Sequence, residues 1–374
     1  MRKVWLLPLA FAFFSSCIDR LNIKVPDSNA SLLVVDGLIT DEPGPYTVKL
    51  SLSTEVDDFL EFRPLVSAKR VTIFDNLGNA EDLTETEQGT YQTKPNGIRG
   101  VVGRSYAVRI EMQDGKSYES VPDLMSPVGN IDNLYYTLDA FQPLDAPTQY
   151  GFRVFVDANG VPDTDNLYRW KFTGTYVINT NPEMRQKPPP LCTKIPPACS
   201  GFIVSDINVL ERVGLCTCCV CWVNEFEDKP FVSDNLFISG NKFKNIEVAY
   251  VPVRYWPFQL KYRFEVKQMS LSKAAYDYWK IIQSQKEGSA SLFQPPTGKI
   301  KTNLFEKNGG SRVQGIFYAS AVTLQQVYLT NAAVRELFLK EPNSNLCGPD
   351  LKQIQESCVL AFKYSSNQPP ADWK

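Results

Sequence analysis

The sequence predicts a mainly β fold: an N-terminal immunoglobulin-like β-sandwich, then a larger β-rich domain with one prominent helix and a disulfide-rich loop. Three observations predict it. Short runs rich in β-branched and aromatic residues recur from Leu32 to Val121 between Gly, Pro and Asn turn signals. Longer, more aromatic strands begin near Ile131, and six cysteines crowd a Pro-rich interruption of that second set.

The chain opens with Arg2 and Lys3, an apolar stretch from Val4 to Phe14 and the small pair Ser15-Ser16 before Cys17. This is the pattern of a cleaved lipoprotein signal peptide, residues 1–16, with Cys17 as the residue to be lipidated. The apolar stretch is too short to span a bilayer, which takes about 20 residues. Position 18 is Ile, without the Asp that signals inner-membrane retention, so the expected location is the outer membrane, on either face. Residues 17–31 form a polar linker.

In the segment 32–125, the strands LLVVDGLI, YTVKLSL, KRVTIF, YAVRIEM and SYESV alternate with turn clusters such as Asp41-Glu42-Pro43-Gly44-Pro45. Tyr106, Val108 and Ile110 alternate into Asp114-Gly115 and out through Tyr118, a tight hairpin because Gly tolerates positive φ. The spacing suits an immunoglobulin-like sandwich of about seven strands in about 100 residues. The second domain, 126–340, contains GFRVFVD, LYRWKFTGTYVI, IEVAYVPVRY and LKYRFEVKQMS, and after its helix KIKTNLFE and VQGIFYASAVTLQQVYL return to strands. Its cysteine-rich insert, 187–222, is flanked by prolines that cannot donate ladder bonds, so it reads as an irregular loop. The helix spans 272–287: Ser272 caps it, Leu271 and Tyr276 staple it, Ala275, Tyr278, Trp279 and Ile282 share one face, and Gly288 ends it. Residues 341–374 are a polar tail.

There is no histidine, and the formal net charge is −2. Without imidazole, Ser-His-Asp and Cys-His catalysis, His-ligated zinc and proximal-His haem are excluded. No concentrated basic patch favours nucleic acid. With Cys17 lipidated, eight cysteines remain: Cys192, Cys199, Cys216, Cys218, Cys219, Cys221, and a separate C-terminal pair, Cys347 and Cys358. Export to an oxidising compartment makes all eight disulfide candidates. Vicinal Cys218 and Cys219 should bond different partners, because neighbouring side chains on an extended strand point to opposite faces. Asp157, Asn159, Asp163 and Asp165 gather oxygens of the kind calcium prefers, but without the glycine position or closing Glu of an EF-hand, and the segment reads first as a turn. No other cofactor is indicated. The carboxylate pairs Asp57-Asp58, Glu81-Asp82 and Glu225 with Glu227 read as solvated edges. Tyr255, Trp256 and Phe258 form a dense knot that is either core or a flat platform for a ligand.

With these elements in place, the chain resembles the domain-of-unknown-function family 4249 of Bacteroidota outer-membrane lipoproteins. The resemblance rests on LLVVDGLITDEPGPYTVKLS at 32–51, DNLYRWKF at 165–172, CWV at 221–223, LSKAAYDYWK at 271–280 and SLFQPPTGKIKTNLFE with GIFYASAV. It implies a partnership with a TonB-dependent outer-membrane receptor and carries over no catalytic residue. The resulting expectation is a non-enzymatic accessory or ligand-capturing lipoprotein. The alternatives are a carboxylate-dependent hydrolase of surface glycans and a structural or adhesive surface protein.

Overall fold

Period-two burial organises the first third of the chain. Its strands are β1 (Leu33–Thr40), β2 (Thr47–Leu52), β3 (Arg70–Asp75), β4 (Ala80–Asp82), β5 (Thr84–Glu87), β6 (Thr90–Gln92), β7 (Ser105–Glu111), β8 (Ser117–Ser120) and β9 (Asp123–Leu124). There follow β10 (Asn130–Phe141), β11 (Gln149–Asn159), β12 (Tyr168–Asn179), β13 (Phe202–Val204), β14 (Leu210–Arg212), β15 (Val220–Phe226), β16 (Phe231–Ser233), β17 (Lys242–Pro252) and β18 (Lys261–Ser270). The helix α1 (Lys273–Gly288) precedes β19 (Leu304–Glu306), β20 (Val313–Ser320) and β21 (Val322–Thr330), and α2 (Cys358–Ala361) and β22 (Ser365–Ser366) end the order. The computed structural model describes residues 31–53, 64–144, 147–188, 190–234, 239–288, 300–310, 312–330 and 354–373. The leader, Cys17, Asp57, Asp58 and Cys347 lie outside the described residues.

The first sandwich faces the sheet β20-β1-β2-β6-β5 with the sheet β19-β8-β7-β3-β4, and β9 continues the edge of β7. Leu33, Val35 and Ile39 of β1 meet Val71, Ile73, Val108 and Ile110 in one core. The hairpin at Asp114-Gly115 forms as the sequence predicts: Gly115 has φ 86°, and the Met112 N–H donates to Lys116 O at 2.8 Å.

The boundary expected at 125 is not where the sandwich closes. β20 pairs in parallel with all of β1, from Leu33 with Val313 to Thr40 with Ser320, and β19 pairs with β8. The reason is in the sequence of β20. Val313, Phe317 and Ala319 face the first core while Ile316 and Tyr318 face α1. A strand apolar on both faces belongs between two layers, and the run GIFYASA provides it. Beside it, Gly37 is required, since a Cβ there would strike the Phe317 ring.

The second sandwich stacks the sheet β10-β11-β17 on the wider sheet β21-β18-β12-β15-β22, with β16 pairing beyond β15 along β12. Trp170, Tyr168, Phe152, Phe243, Tyr262 and Phe264 fill its core. The helix is where the sequence puts it. The Ala275 N–H donates to the Ser272 hydroxyl at 3.2 Å, Leu271 and Tyr276 are buried together, and Trp279 packs edge-on to Tyr318 at 5.9 Å.

Disulfides staple the insert, joining Cys199 to Cys218, Cys216 to Cys219 and Cys221 to Cys358; Cys192 is also bonded. Cys218 and Cys219 take different partners, as their opposite orientation requires. The expected pairing of Cys347 with Cys358 is overturned, because Cys358 bonds Cys221. Nor is the C-terminal segment a loose tail. Ile354 and Phe362 pack on the second core, β22 pairs with β15, and the Trp373 ring receives Lys261 Nζ at 4.9 Å. The insert is not wholly irregular either, since β13 and β14 form a small hairpin in it.

Candidate functional site

The unequal widths of the two stacked sheets create the site. Strands lie about 4.8 Å apart, so three cannot cover the wider sheet beneath. β10 lies against β21 and β17 against β12, which leaves β15 uncovered. The gap between β17 and β15 is a groove of about 1060 Å³. Trp170, Phe172 and Tyr176 of β12, Val223 of β15, Val251 of β17 and Tyr262 of β18 line it. Among these, Tyr176 stacks on Tyr262 at 5.9 Å, and Tyr262 on Phe258 at 5.4 Å.

A carboxylate enters this apolar lining. Glu225 accepts from Arg254, whose guanidinium lies at the mouth, and from the Tyr262 hydroxyl at 3.1 Å. Gly174 is what allows the second contact. It sits opposite Glu225 in the ladder, and a Cβ there would strike the Tyr262 hydroxyl. Burial, reinforced by the Glu225 charge, pushes the Tyr262 phenol well above its ordinary range and raises Tyr176 as well. Both therefore remain neutral hydrogen-bond donors.

The rim is a break in the ladder. β15 pairs with β12 from Thr173 to Asn179 and β16 from Tyr168 to Trp170; the chain between them, Glu227 to Pro230, leaves the sheet. Arg169 donates to Glu227 at 2.9 Å and to the Tyr318 hydroxyl at 3.1 Å, with its guanidinium 3.8 Å from the Trp279 ring. Lys286 donates to Asp228 O at 3.0 Å, and Lys229 lies 3.7 Å from Glu287. The end of α1 thus fastens the loop. Glu227 gives one oxygen to Arg169, while its Oε2 is buried without a donor among the described residues. A buried acceptor left open is a costly arrangement. At the outer edge the exposed rings of Phe226 and Tyr364 meet edge-on at 5.4 Å. The groove can hold a molecule with an apolar or flat body and at least one donor group.

The residues singled out from sequence divide. Glu225 and Glu227, read as a solvated pair, instead line the groove. Glu81 accepts the backbone N–H of Lys94 at 2.7 Å, and Asp82 accepts from Thr72 at 2.6 Å, so that pair is structural. Phe258 is buried and stacked on Tyr262, Trp256 packs half-buried on the same core, and Tyr255, also half-buried, meets Trp256 edge-on at 4.8 Å. Asp157, Asn159, Asp163 and Asp165 are not gathered around a point. Asp157 accepts from the Asn245 backbone and pairs with Lys244 at 3.3 Å, while Asn159 donates to Asp132. The turn carrying Asp163 and Asp165 is organised by Asn166, whose side chain bonds Val161 at both N–H and C=O. No group of three acidic, Cys or His side chains suited to a metal occurs among the described residues. Reading by sequence missed Arg254, Tyr262 and Gly174, although a glycine inside a strand signals a close approach.

The family model described as Domain of unknown function (DUF4249) matches residues 18–326. That range takes in the first sandwich, the insert, α1 and the second sandwich as far as the middle of β21. No curated protein matches the chain. Among the described residues no helix is long and apolar enough to cross a membrane.

Proposed function

The chain belongs to the DUF4249 family, and we propose that it is a lipid-anchored outer-membrane protein, held through Cys17, that captures a ligand for a TonB-dependent receptor without catalysing a reaction. The observation that carries this reading is the groove, whose aromatic lining is interrupted by Glu225, held between Arg254 and the Tyr262 hydroxyl. Each carboxylate is already engaged by an arginine, Arg254 or Arg169, an arrangement suited to fixed recognition. The residues near Cys17 support anchoring, and the resemblance supports the receptor partnership. Mild detergent extraction of cells followed by affinity purification should bring a β-barrel receptor with the protein. Recovery without any barrel would end the partnership.

One observation favours a second reading, hydrolysis of a surface glycan: Glu225 and Glu227 line the same groove. On that reading, alanine at either position abolishes turnover of a polysaccharide. If no tested polysaccharide is cleaved by the parent protein, the binding reading stands alone.

A further inference from the structure

We propose that the Cys216–Cys219 disulfide is a site of thiol–disulfide exchange, opened and closed by a protein dithiol while the neighbouring cross-links stay shut. Access separates it from them. Cys221 and Cys358 are wholly buried, and Cys199 is bonded to Cys218, which is only 5 % exposed. Cys216 and Cys219 are both half-buried, and the exposed residues Leu215 and Thr217 flank Cys216. A thiolate has to reach a disulfide sulfur to break the bond, so the half-buried pair is the open target. The attacking thiolate is an anion, and residues 213–223 carry no charge that would repel it.

The pairs also differ in what they constrain. Cys216 and Cys219 are 3 residues apart, against 19 for Cys199–Cys218 and 137 for Cys221–Cys358. The fold reinforces closure of the long pairs by bringing distant residues together, and it adds little to a pair that are already neighbours in sequence. Both ends of the short bridge are held without it. The Thr217 N–H donates to Cys199 O at 2.8 Å, Cys218 is bonded to Cys199, and Cys219 O accepts the Thr180 N–H at 2.7 Å. Cys218 O accepts the Cys358 N–H at 3.1 Å, so the C-terminal segment is fastened to Cys218 and not to this bridge. Opening Cys216–Cys219 therefore leaves the insert, the end of β12 and the start of α2 in place. Its Cys-x-x-Cys spacing keeps the two sulfurs within reach of each other once open, which is the arrangement of an exchange-active pair.

In the opening step a thiolate of the partner attacks one sulfur of the pair. A mixed disulfide forms, the Cys216–Cys219 bond breaks, and the other cysteine leaves as a thiolate that takes up a proton. The partner's second thiolate then attacks the partner's own sulfur in the mixed disulfide, and the remaining cysteine of this chain is released and protonated in turn. Two electrons pass to the Cys216–Cys219 pair, which becomes two thiols, and the partner dithiol is oxidised to a disulfide. The oxidised partner closes the pair by the reverse sequence.

The test equilibrates the purified full chain in graded dithiothreitol, quenches with acid, alkylates the free thiols and maps them by mass spectrometry. Cys216 and Cys219 should be alkylated at a reductant concentration at least tenfold below the one that opens Cys199–Cys218 or Cys221–Cys358, while the chain keeps its native Trp fluorescence. Thioredoxin with its second active-site cysteine replaced by Ser serves as the protein probe. It should form a mixed disulfide with the parent, mapped to Cys216 or Cys219, and at least tenfold less with the double variant Cys216→Ser, Cys219→Ser. Opening of all pairs together, earlier opening of another pair, absence of the mixed disulfide or equal capture by the double variant overturns the proposal. The order of opening is read on the parent alone, so a double variant that fails to fold does not remove the test. Neither readout involves the groove or the anchor, so the result is independent of the ligand-capture reading.

Discussion

The two sandwiches are closed in different ways. The first is completed by strands that return from far along the chain, β19 and β20, and its core is continuous between two sheets of similar width. The second stacks a narrow sheet on a wide one, and its uncovered flank is secured by Cys221–Cys358 and the C-terminal segment. Closing by cross-link leaves a groove beside the narrow sheet. The groove is thus a consequence of incomplete coverage, and its walls are residues that a wider upper sheet would have made ordinary core.

The comparison breaks most directly at the cross-link. Cys221 and Cys358 are 137 residues apart, and Cys216 and Cys219 are 3 apart. On the chain-entropy account, replacing the first pair by Ser should destabilise the second sandwich by about 5 kcal/mol and the second pair by less than about 2 kcal/mol. Denaturant unfolding followed by Trp fluorescence measures both. Equal losses would mean that Cys221–Cys358 does not close the flank.

Next in size is the returning strand. Phe317 is wholly buried between β1 and the facing sheet, so Phe317→Ala should cost about 3–5 kcal/mol. The loss should appear as reduced hydrogen-exchange protection in β1 and β2, not in β12 and β18. If protection falls instead in the second sandwich, β20 is a connector and not part of the first core.

Much of this was legible in the sequence, and the failures share a cause. Short-range features came through: the Asp114-Gly115 hairpin, the Ser272 cap, the divergence of Cys218 from Cys219 and the mainly β class all depend on residues a few positions apart. Non-local pairings did not. As sequence, GIFYASA reads as a strand of the domain it follows, because an apolar run names its burial but not the layers that bury it. Cys358 has Cys347 as its neighbour in sequence, but its partner, Cys221, lies in β15. The groove was visible only as a carboxylate pair, Glu225 and Glu227, whose placement depends on which sheet runs out of strands.

A smaller effect sharpens the groove half of the comparison. In Gly174→Ala the new methyl would displace the Tyr262 hydroxyl from Glu225, at a cost of about 1–3 kcal/mol. Adding Tyr262→Phe recovers only part of that loss, because the ring carbon Cζ would still collide with the new methyl and Cε1 would lie 2.9 Å from it. Tyr262→Phe alone leaves Gly174 uncrowded and Glu225 one donor short, at about 1 kcal/mol, and a ligand that recognises Glu225 should be bound more weakly by it than by the parent. Parent-like binding by that variant would place recognition elsewhere.

The smallest expected effect separates two carboxylates of the first sandwich by pH. For Asp75, burial raises the pKa, but hydrogen bonds from the Asn79 side chain and from the backbone N–H groups of Asn79 and Leu77, together with Arg104, outweigh it and the net shift is downward. The folded state therefore binds fewer protons than the unfolded state, and the stabilisation is present above about pH 4 and lost as pH falls through the depressed value. For Asp123, burial dominates over its bonds from the Ser272 hydroxyl and the Ala319 N–H, so its pKa is raised. Its contribution runs the other way: it is full below about pH 4 and lost as pH rises through the elevated value. Asp75→Asn should cost about 1 kcal/mol near neutrality, with the deficit shrinking on acidification. Asp123→Asn should instead fall further behind the parent as pH drops toward 4. Melting midpoints of the three proteins between pH 7 and pH 4 test the opposite slopes. Parallel curves would mean that the Asp123 seam, where β9 meets β20 and the start of α1, carries no buried charge that distinguishes it from an ordinary turn such as that at Asp75.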